Sequence, residues 1–184
     1  IMSKIKLSKE TLSVLKNYAQ INSNLLVKEG NVINTISPAK NIVSESVVAE
    51  NFEVEFGIWD LSKFLGTVSL FDDPEFEFGE KSMTISGKGG GKVSYYYSEP
   101  RLLTVLNREV KMPEPVISFV LSEEVFDSIL RSASVLQLPD LCIKSSDDGK
   151  IELVALDKKT PTTNSYTVEV GDNPKPGSSF SFYL

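Results

Sequence analysis

The sequence predicts an α+β fold in which antiparallel β-strands outnumber the helices. Three segments place apolar residues at helical spacing, whereas most of the remaining chain alternates apolar with polar residues between turn residues, as strands do. A block of helix, strand, turn and strand follows Leu7 and occurs again after Leu121. This internal repeat indicates two similar units, and the predominance of strands favours an antiparallel arrangement over a parallel one.

Each predicted helix begins at a residue with a good capping side chain. Ser8, Asp60 and Ser122 precede the apolar stripes, and their side-chain oxygens can accept a hydrogen bond from a backbone N–H of the first turn. We expect the helices over residues 9–20, 60–70 and 122–137. The third helix is expected to bury Phe126, Ile129, Leu130 and Ala133.

Three predictions for the strands and turns are specific enough to check. Residues 52–56 alternate phenylalanine and valine with glutamate, which is the pattern of a strand with one face in water. Residues 116–121, just before the third helix, are also expected to form a strand. Asp147, Asp148 and Gly149 predict a turn between two later strands.

The composition excludes several kinds of active site. The chain of 184 residues contains no histidine and one cysteine, Cys142. It therefore has no histidine-dependent triad or zinc site, and Cys142 cannot form an internal disulfide. The glycine-rich residues 87–93 lack the first glycine and the final Ser/Thr of a phosphate-binding loop, so we expect a hairpin tip there. No cofactor or metal ion is expected.

Four cations are candidates for binding an anionic partner, although the net charge of −6, taken alone, argues against nucleic acid. Lys9, Lys16, Lys63 and Arg131 lie opposite the apolar stripes of their helices. Lys9 and Lys16 are separated by about 700°, close to two full turns, and so point the same way. A lone lysine on a helix is ordinarily a solvated surface cation, so the residues alone leave both interpretations open.

The prolines of residues 98–115 indicate a connector between the two repeated units. It contains a dense apolar run formed by Leu102, Leu103, Val105 and Leu106. Such a run fits either a strand of ordinary core or the lining of a groove that binds an apolar peptide. The residues alone favour neither.

Several short segments together resemble the sliding clamps of tailed bacteriophages, the DNA polymerase processivity factors of myovirus replisomes. The resemblance rests on KLSKET at residues 6–11, LKNYA at 15–19, INS at 21–23, DLSKFLG at 60–66 and SL at 69–70. It continues with ILR at residues 129–131, VLQ at 135–137 and VEVGD at 168–172. The match therefore extends over nearly the whole chain, although none of these segments is a catalytic signature.

The resemblance implies a pseudo-repeated DNA-clamp fold whose antiparallel sheets carry the helices on one face. It implies a first domain over residues 2–97, the connector over 98–115 and a second domain over 116–184. Three subunits would form a head-to-tail homotrimer ring around double-stranded DNA, without reading its sequence and without chemistry of their own. The implied partners are the DNA polymerase, an ATP-driven clamp loader and late-transcription factors, in the cytoplasm of the infected bacterial host.

The resemblance also assigns roles to the candidate residues. It implies that Lys9, Lys16 and Lys63 face the DNA, whereas Arg131 is the weaker candidate because Glu124 and Asp127 share its helix face. It further implies that partner proteins bind by their peptide tails in a groove beneath the connector, which would involve Leu102, Leu103, Val105 and Leu106.

The chain departs from the family at its end, because family members continue past the position of Leu184 with another helix and further strands. We therefore expect the second domain to be incomplete and a chain of 184 residues not to close a stable ring. Two other functions stay open. A structural β-rich phage protein would have no pseudo-repeat, and a monomeric nucleic-acid-binding accessory protein would place its cations on a sheet face.

Overall fold

The three helices begin directly after the capping residues that the sequence predicts. In the computed structural model, which describes residues 4–107, 110–111, 113–175 and 177–184, they are α1 (Lys9–Ile21), α2 (Leu61–Val68) and α3 (Glu123–Leu136). The side chains of Ser8, Asp60 and Ser122 accept hydrogen bonds from the backbone N–H groups of Thr11, Lys63 and Val125, respectively. Each such cap contributes about 1 kcal/mol to stability.

The chain divides into two compact units, Ile1–Val110 and Lys111–Leu184. The strands of the first unit are β1 (Lys4–Ile5), β2 (Leu25–Val27), β3 (Gly30–Ile36), β4 (Val43–Phe52), β5 (Phe56–Ile58), β6 (Glu75–Phe78), β7 (Ser82–Ser86) and β8 (Lys92–Tyr96). They pair antiparallel in one four-stranded sheet, β1-β6-β7-β8, and in the pairs β2-β5 and β3-β4.

The second unit repeats the order of elements that follows the first helix. After α3 come β9 (Asp140–Ser145), β10 (Lys150–Leu156), β11 (Tyr166–Asp172) and β12 (Ser181–Tyr183), in the antiparallel order β11-β10-β9-β12. The predicted turn joins β9 to β10, and Gly149 has a φ of 81° there, which glycine adopts without strain. The strand pairs β3-β4 and β10-β11 correspond in the two units, and each contains a register shift. The shift lies between Gly30 and Val32 in the first unit and between Ile151 and Glu152 in the second.

The core of the first unit lies between its two helices and its sheets. The helices contact each other, and each turns one buried face to this core. The buried residues of the helices are Thr11, Leu15 and Tyr18 on α1 and Leu61, Phe64 and Val68 on α2. Tyr18 is 1% exposed, and its hydroxyl lies 2.9 Å from the Ser46 hydroxyl, so the core satisfies this polar group.

The prediction for the apolar stripe of α3 was wrong in part. Ile129 is fully buried and Ala133 is partly buried, but Phe126 and Leu130 are 42% and 43% exposed. In the first unit α1 packs against α2 as well as against strands, whereas α3 packs against β10 and β11 within the described part of the second unit. Because no described helix packs beside α3, the two strands cover only the middle of its apolar stripe.

Two strand predictions were also wrong. Residues 52–56 span a bend, because β4 ends at Phe52 and β5 begins at Phe56. The two phenylalanine rings nevertheless both reach the core, where their centroids lie 5.7 Å apart. Residues 116–121 form no strand, and Val120 is 90% exposed, because none of the described strands pairs with this segment.

A buried carboxylate joins β4 to the start of α1. Glu50 is 8% exposed and accepts hydrogen bonds from the Ser8 backbone N–H and the Thr11 hydroxyl. Burial opposes its ionisation, but these hydrogen bonds outweigh burial and lower the pKa of Glu50. The arrangement resembles a capping box whose glutamate comes from a distant strand instead of from the helix itself.

We expect Glu50→Gln to lower the free energy of unfolding at pH 7 by about 1–2 kcal/mol, because the two donors bind different carboxylate oxygens and an amide keeps only one of these two acceptors. The pKa of Glu50 is lower in the folded chain, so its contribution is present above about pH 4.3, the usual glutamate pKa. It should disappear as the pH falls through the lowered folded-state pKa. Denaturant unfolding from pH 7 to pH 3 measures this; a constant difference would contradict it. Glu45→Gln, an exposed glutamate on the same strand, is the control.

Candidate nucleic-acid and partner surfaces

Lys9 and Lys16 lie on the exposed side of α1, as its periodicity predicts. Both residues are exposed, while Thr11, Leu15 and Tyr18 turn the other side of the helix toward the core. Lys63 is likewise exposed on α2, one turn after the Asp60 cap. Because α1 and α2 bury their inner faces in the same core, the three lysines lie on the sides of the two helices that face away from it.

The lysines of the helices differ in their partners from Lys4, Lys6 and Lys88, which lie in or next to the four-stranded sheet. Lys6 lies 2.6 Å from Asp73, Lys88 lies 3.5 Å from the same carboxylate, and Lys4 lies 3.6 Å from Glu75. Within the described residues, none of Lys9, Lys16 and Lys63 has a carboxylate within ion-pair distance. The charges of Lys9, Lys16 and Lys63 are therefore available to an external anion, as are those of exposed lysines outside the helices such as Lys28 and Lys92.

Arg131 has a different electrostatic setting. It is exposed on α3, but Glu124 and Asp127 precede it by two turns and one turn on the same helix. Glu123 adds a further carboxylate in the first turn. An acidic residue four positions before an arginine attracts it along a helix. The positive charge of Arg131 is therefore offset by the carboxylates of its own helix.

The first half of the connector is attached to the first unit. The Ser98 backbone N–H donates to the Gly57 carbonyl at 2.9 Å, and a short 3₁₀ turn follows at Pro100–Leu102. Leu103 is 8% exposed and lies so close to Gly57 that a Cβ at position 57 would be 2.8 Å from its Cδ1. Leu103 is therefore an anchor of the connector, whereas Leu102 is 61% exposed and Val105 and Leu106 are half-buried.

Two asparagines that the sequence analysis did not single out hold the next residue of the connector. The Thr104 carbonyl accepts from Asn22 Nδ2 at 2.8 Å, and the Thr104 backbone N–H donates to Asn24 Oδ1 at 2.9 Å. Asn22 Nδ2 also donates to the Ile36 carbonyl at 2.8 Å, which places the connector beside the end of β3. The only local signal was the occurrence of two asparagines within three residues of the end of α1.

Two exposed apolar side chains lie where the loop after β3 leads into β4. The buried Ser37 hydroxyl accepts from the backbone N–H groups of Asn41 and Ile42 and so shapes the loop. Ile42 and Val43 are 50% and 41% exposed. The first unit thus presents apolar residues both where this loop meets β4 and on the connector, which Asn22 attaches to the end of β3.

The other sequence candidates have structural explanations. Residues 87–91 form the tip between β7 and β8, and a Cβ on Gly87 would lie 2.9 Å from Phe71, so this glycine permits close packing. No group of three or more metal-ligating side chains occurs among the residues described. Likewise, no helix in the described ranges is long and apolar enough to cross a membrane.

Antiparallel sheets backed by helices, with a helix–strand–hairpin block used twice, define the clamp fold. A solved structure of A. fulgidus PCNA with the C-terminal region of FEN-1 matches with a TM-score of 0.65 at 13% identity, over 97% of this chain and 78% of that one. The fold prediction is therefore confirmed. At this level of identity the match identifies the fold alone.

The chain belongs to the DNA polymerase processivity factor family, whose model matches residues 7–99. The sliding clamp of Vibrio phage KVP40 is 28% identical over 91% of this chain and 78% of its own length. The sliding clamp of Enterobacteria phage T4 is 29% identical over 91% of this chain and 75% of its own length. The function of the family follows: the chain is a clamp of phage DNA replication that raises the processivity of a DNA polymerase, as the resemblance implied.

Proposed function

We propose that three copies of the protein form a closed ring around double-stranded DNA, with α1 and α2 of each first domain facing the duplex. The observation that supports this most directly is that the two helices present three exposed lysines on the sides that face away from the core, and that none of the three has a described carboxylate partner. Lys4, Lys6 and Lys88 are instead paired with Asp73 and Glu75. The DNA-facing surface proposed here is the set of Lys9, Lys16 and Lys63, with Arg131 as a minor contributor.

A few separated lysines suit a protein that must move along DNA. Contacts between lysine and phosphate carry no sequence information and exchange readily with counterions, so they hold the duplex without stopping on one site. The acidic remainder of the chain opposes binding elsewhere on the surface. The proposed clamp performs no chemistry, and the energy for opening the ring comes from an ATP-driven loader.

The second part of the proposal concerns the partners. We propose that residues 98–115 connect two clamp domains, residues 2–97 and 116–184, and that the tail of the DNA polymerase binds beside this connector. Late-transcription factors would use the same site. Exposed or half-buried apolar side chains are available there, namely Leu102, Val105 and Leu106 on the connector, Ile42 on the loop after β3 and Val43 at the start of β4. The A. fulgidus PCNA complex supports it, since that clamp-fold protein binds a C-terminal region of another protein.

Primer extension with the polymerase, clamp loader and ATP of the same phage tests the main proposal. We expect long products on a singly primed circular template only when the clamp, the loader and ATP are all present. The same clamp on a short linear template with open ends should have a much smaller effect, because a ring slides off. Equal product lengths with and without the clamp would contradict the proposal.

We expect Leu102→Glu to weaken polymerase binding about tenfold, because it places a charge among apolar side chains that the partner would bury. Titration of the polymerase with labelled clamp measures the dissociation constant. Leu70→Glu, which changes a leucine that is 72% exposed at the end of α2, is the matched control and should bind normally. Equal affinities for the two variants would place the partner site elsewhere.

A further inference from the structure

The connector is held at Thr104 by side chains instead of by a neighbouring strand. Thr104 belongs to no strand, yet both of its backbone hydrogen-bonding groups are occupied. Asn24 accepts from its N–H and Asn22 donates to its carbonyl, so the two amides together do what an adjacent strand would do. Both asparagines are buried, at 4% and 8% exposure.

The two asparagines use nearly all of their hydrogen-bonding capacity in this arrangement. Asn22 Nδ2 donates to Thr104 and to Ile36, and Asn22 Oδ1 accepts from the Asn24 backbone N–H at 2.9 Å. Asn24 Nδ2 donates to the Trp59 carbonyl at 2.7 Å. Only an amide side chain offers both donors and an acceptor at this length, so no other residue type reproduces the set of bonds.

We infer that Asn22 and Asn24 are positioning residues, which fix the connector against the first domain and thereby set the affinity of the clamp for its polymerase. This inference rests on the proposed function, because it takes the surface beside the connector as the partner site. The anchor at Leu103 fixes the connector between Leu102 and Thr104. The asparagines hold the backbone of the next residue, Thr104, and so set the direction in which the connector continues to Val105 and Leu106.

A partner that binds beside the connector benefits from this attachment. A connector already held in its bound conformation loses little conformational freedom on binding, whereas a connector that is loose at Thr104 must be ordered at the expense of affinity. The attachment also holds Thr104 next to Ile36, the last residue of β3, which pairs with Val43, since Asn22 donates to the carbonyls of Thr104 and Ile36 at once.

The test compares Asn24→Ala with Asn17→Ala, which changes an exposed asparagine on α1. Hydrogen exchange of the Thr104 amide, measured by NMR on the clamp alone, should become at least about tenfold faster in Asn24→Ala and stay unchanged in Asn17→Ala. The dissociation constant for the DNA polymerase of the same phage should rise about tenfold in Asn24→Ala only. Unchanged exchange or unchanged polymerase affinity in a folded Asn24→Ala variant overturns the inference.

A second variant covers the case in which Asn24→Ala does not fold. Asn22→Asp keeps the acceptor for the Asn24 N–H but loses the donors to the Thr104 and Ile36 carbonyls, and we expect the same loss of polymerase affinity. The Leu102→Glu variant separates the two proposals. If Leu102→Glu binds polymerase normally, the partner site itself is wrong; if it binds weakly while both asparagine variants bind normally, only the positioning role is wrong.

Discussion

Reversing the charge of both lysines on α1, by Lys9→Glu with Lys16→Glu, is expected to shorten the loader-dependent products about tenfold while leaving the fold intact. Both side chains are exposed and neither has a described carboxylate partner, so the folded state loses no ion pair. Each phosphate contact contributes roughly 0.9 to the slope of log K against log salt. The slope for retention on circular DNA should therefore fall by roughly 2 for each subunit in contact.

The matched control reverses two exposed lysines that lie on no helix, Lys28→Glu with Lys159→Glu. It changes the net charge of the chain by the same amount, so a general repulsion between clamp and DNA would affect both double variants equally. Product length is read on a singly primed circular template, and circular dichroism checks the fold. If both double variants lose product length to the same degree, α1 is not the surface that faces the DNA.

Replacing Gly57 by alanine is expected to have the largest effect on stability among single substitutions at glycines of the first unit's strands. A Cβ at this position would collide with the Ser98 carbonyl and lie 2.8 Å from Leu103 Cδ1. One of these neighbours is backbone, so a side-chain rotation cannot relieve the contact. Overpacking of this kind costs about 1–3 kcal/mol, which corresponds to a decrease in Tm of roughly 3–10 °C for a chain of this size.

Gly66→Ala is the control for Gly57→Ala, since nothing lies within 4 Å of the added Cβ. Gly66 lies inside α2, where alanine is preferred over glycine by about 0.5–1 kcal/mol, so this variant should melt at the same or a higher temperature. Thermal unfolding of both variants decides the matter. A Gly57→Ala variant as stable as the wild type would mean that the connector is not packed against β5.

The parts of the fold that the sequence predicts are those with local causes. Ser8, Asp60 and Ser122 start helices because a cap and its first turn are only three residues apart. Gly149 predicts its turn because one positive φ angle suffices to reverse the chain. The exposure of Lys9 and Lys16 follows from helix periodicity in the same way, once the buried side of α1 is known.

The errors concern features that distant residues decide. Phe52 and Phe56 are both buried. A straight strand would bury both rings, and so does a bend that returns the second ring to the core, so burial does not distinguish the two. Phe126 has the right spacing for burial, but its exposure depends on whether another helix lies beside it. Asn22 and Asn24 contact Thr104 about 80 residues away, and no short-range pattern contains that information.

The position of Trp59 makes the first unit suitable for measurements of intrinsic tryptophan fluorescence. It is the only tryptophan of the chain, it is 56% exposed, and it directly precedes the capping residue of α2. Its carbonyl accepts a hydrogen bond from Asn24, the residue that also holds Thr104. Asn24 therefore links the connector to the residue that precedes the cap of α2, a helix of the proposed DNA-facing surface. Intrinsic tryptophan fluorescence reports on this region without an attached dye.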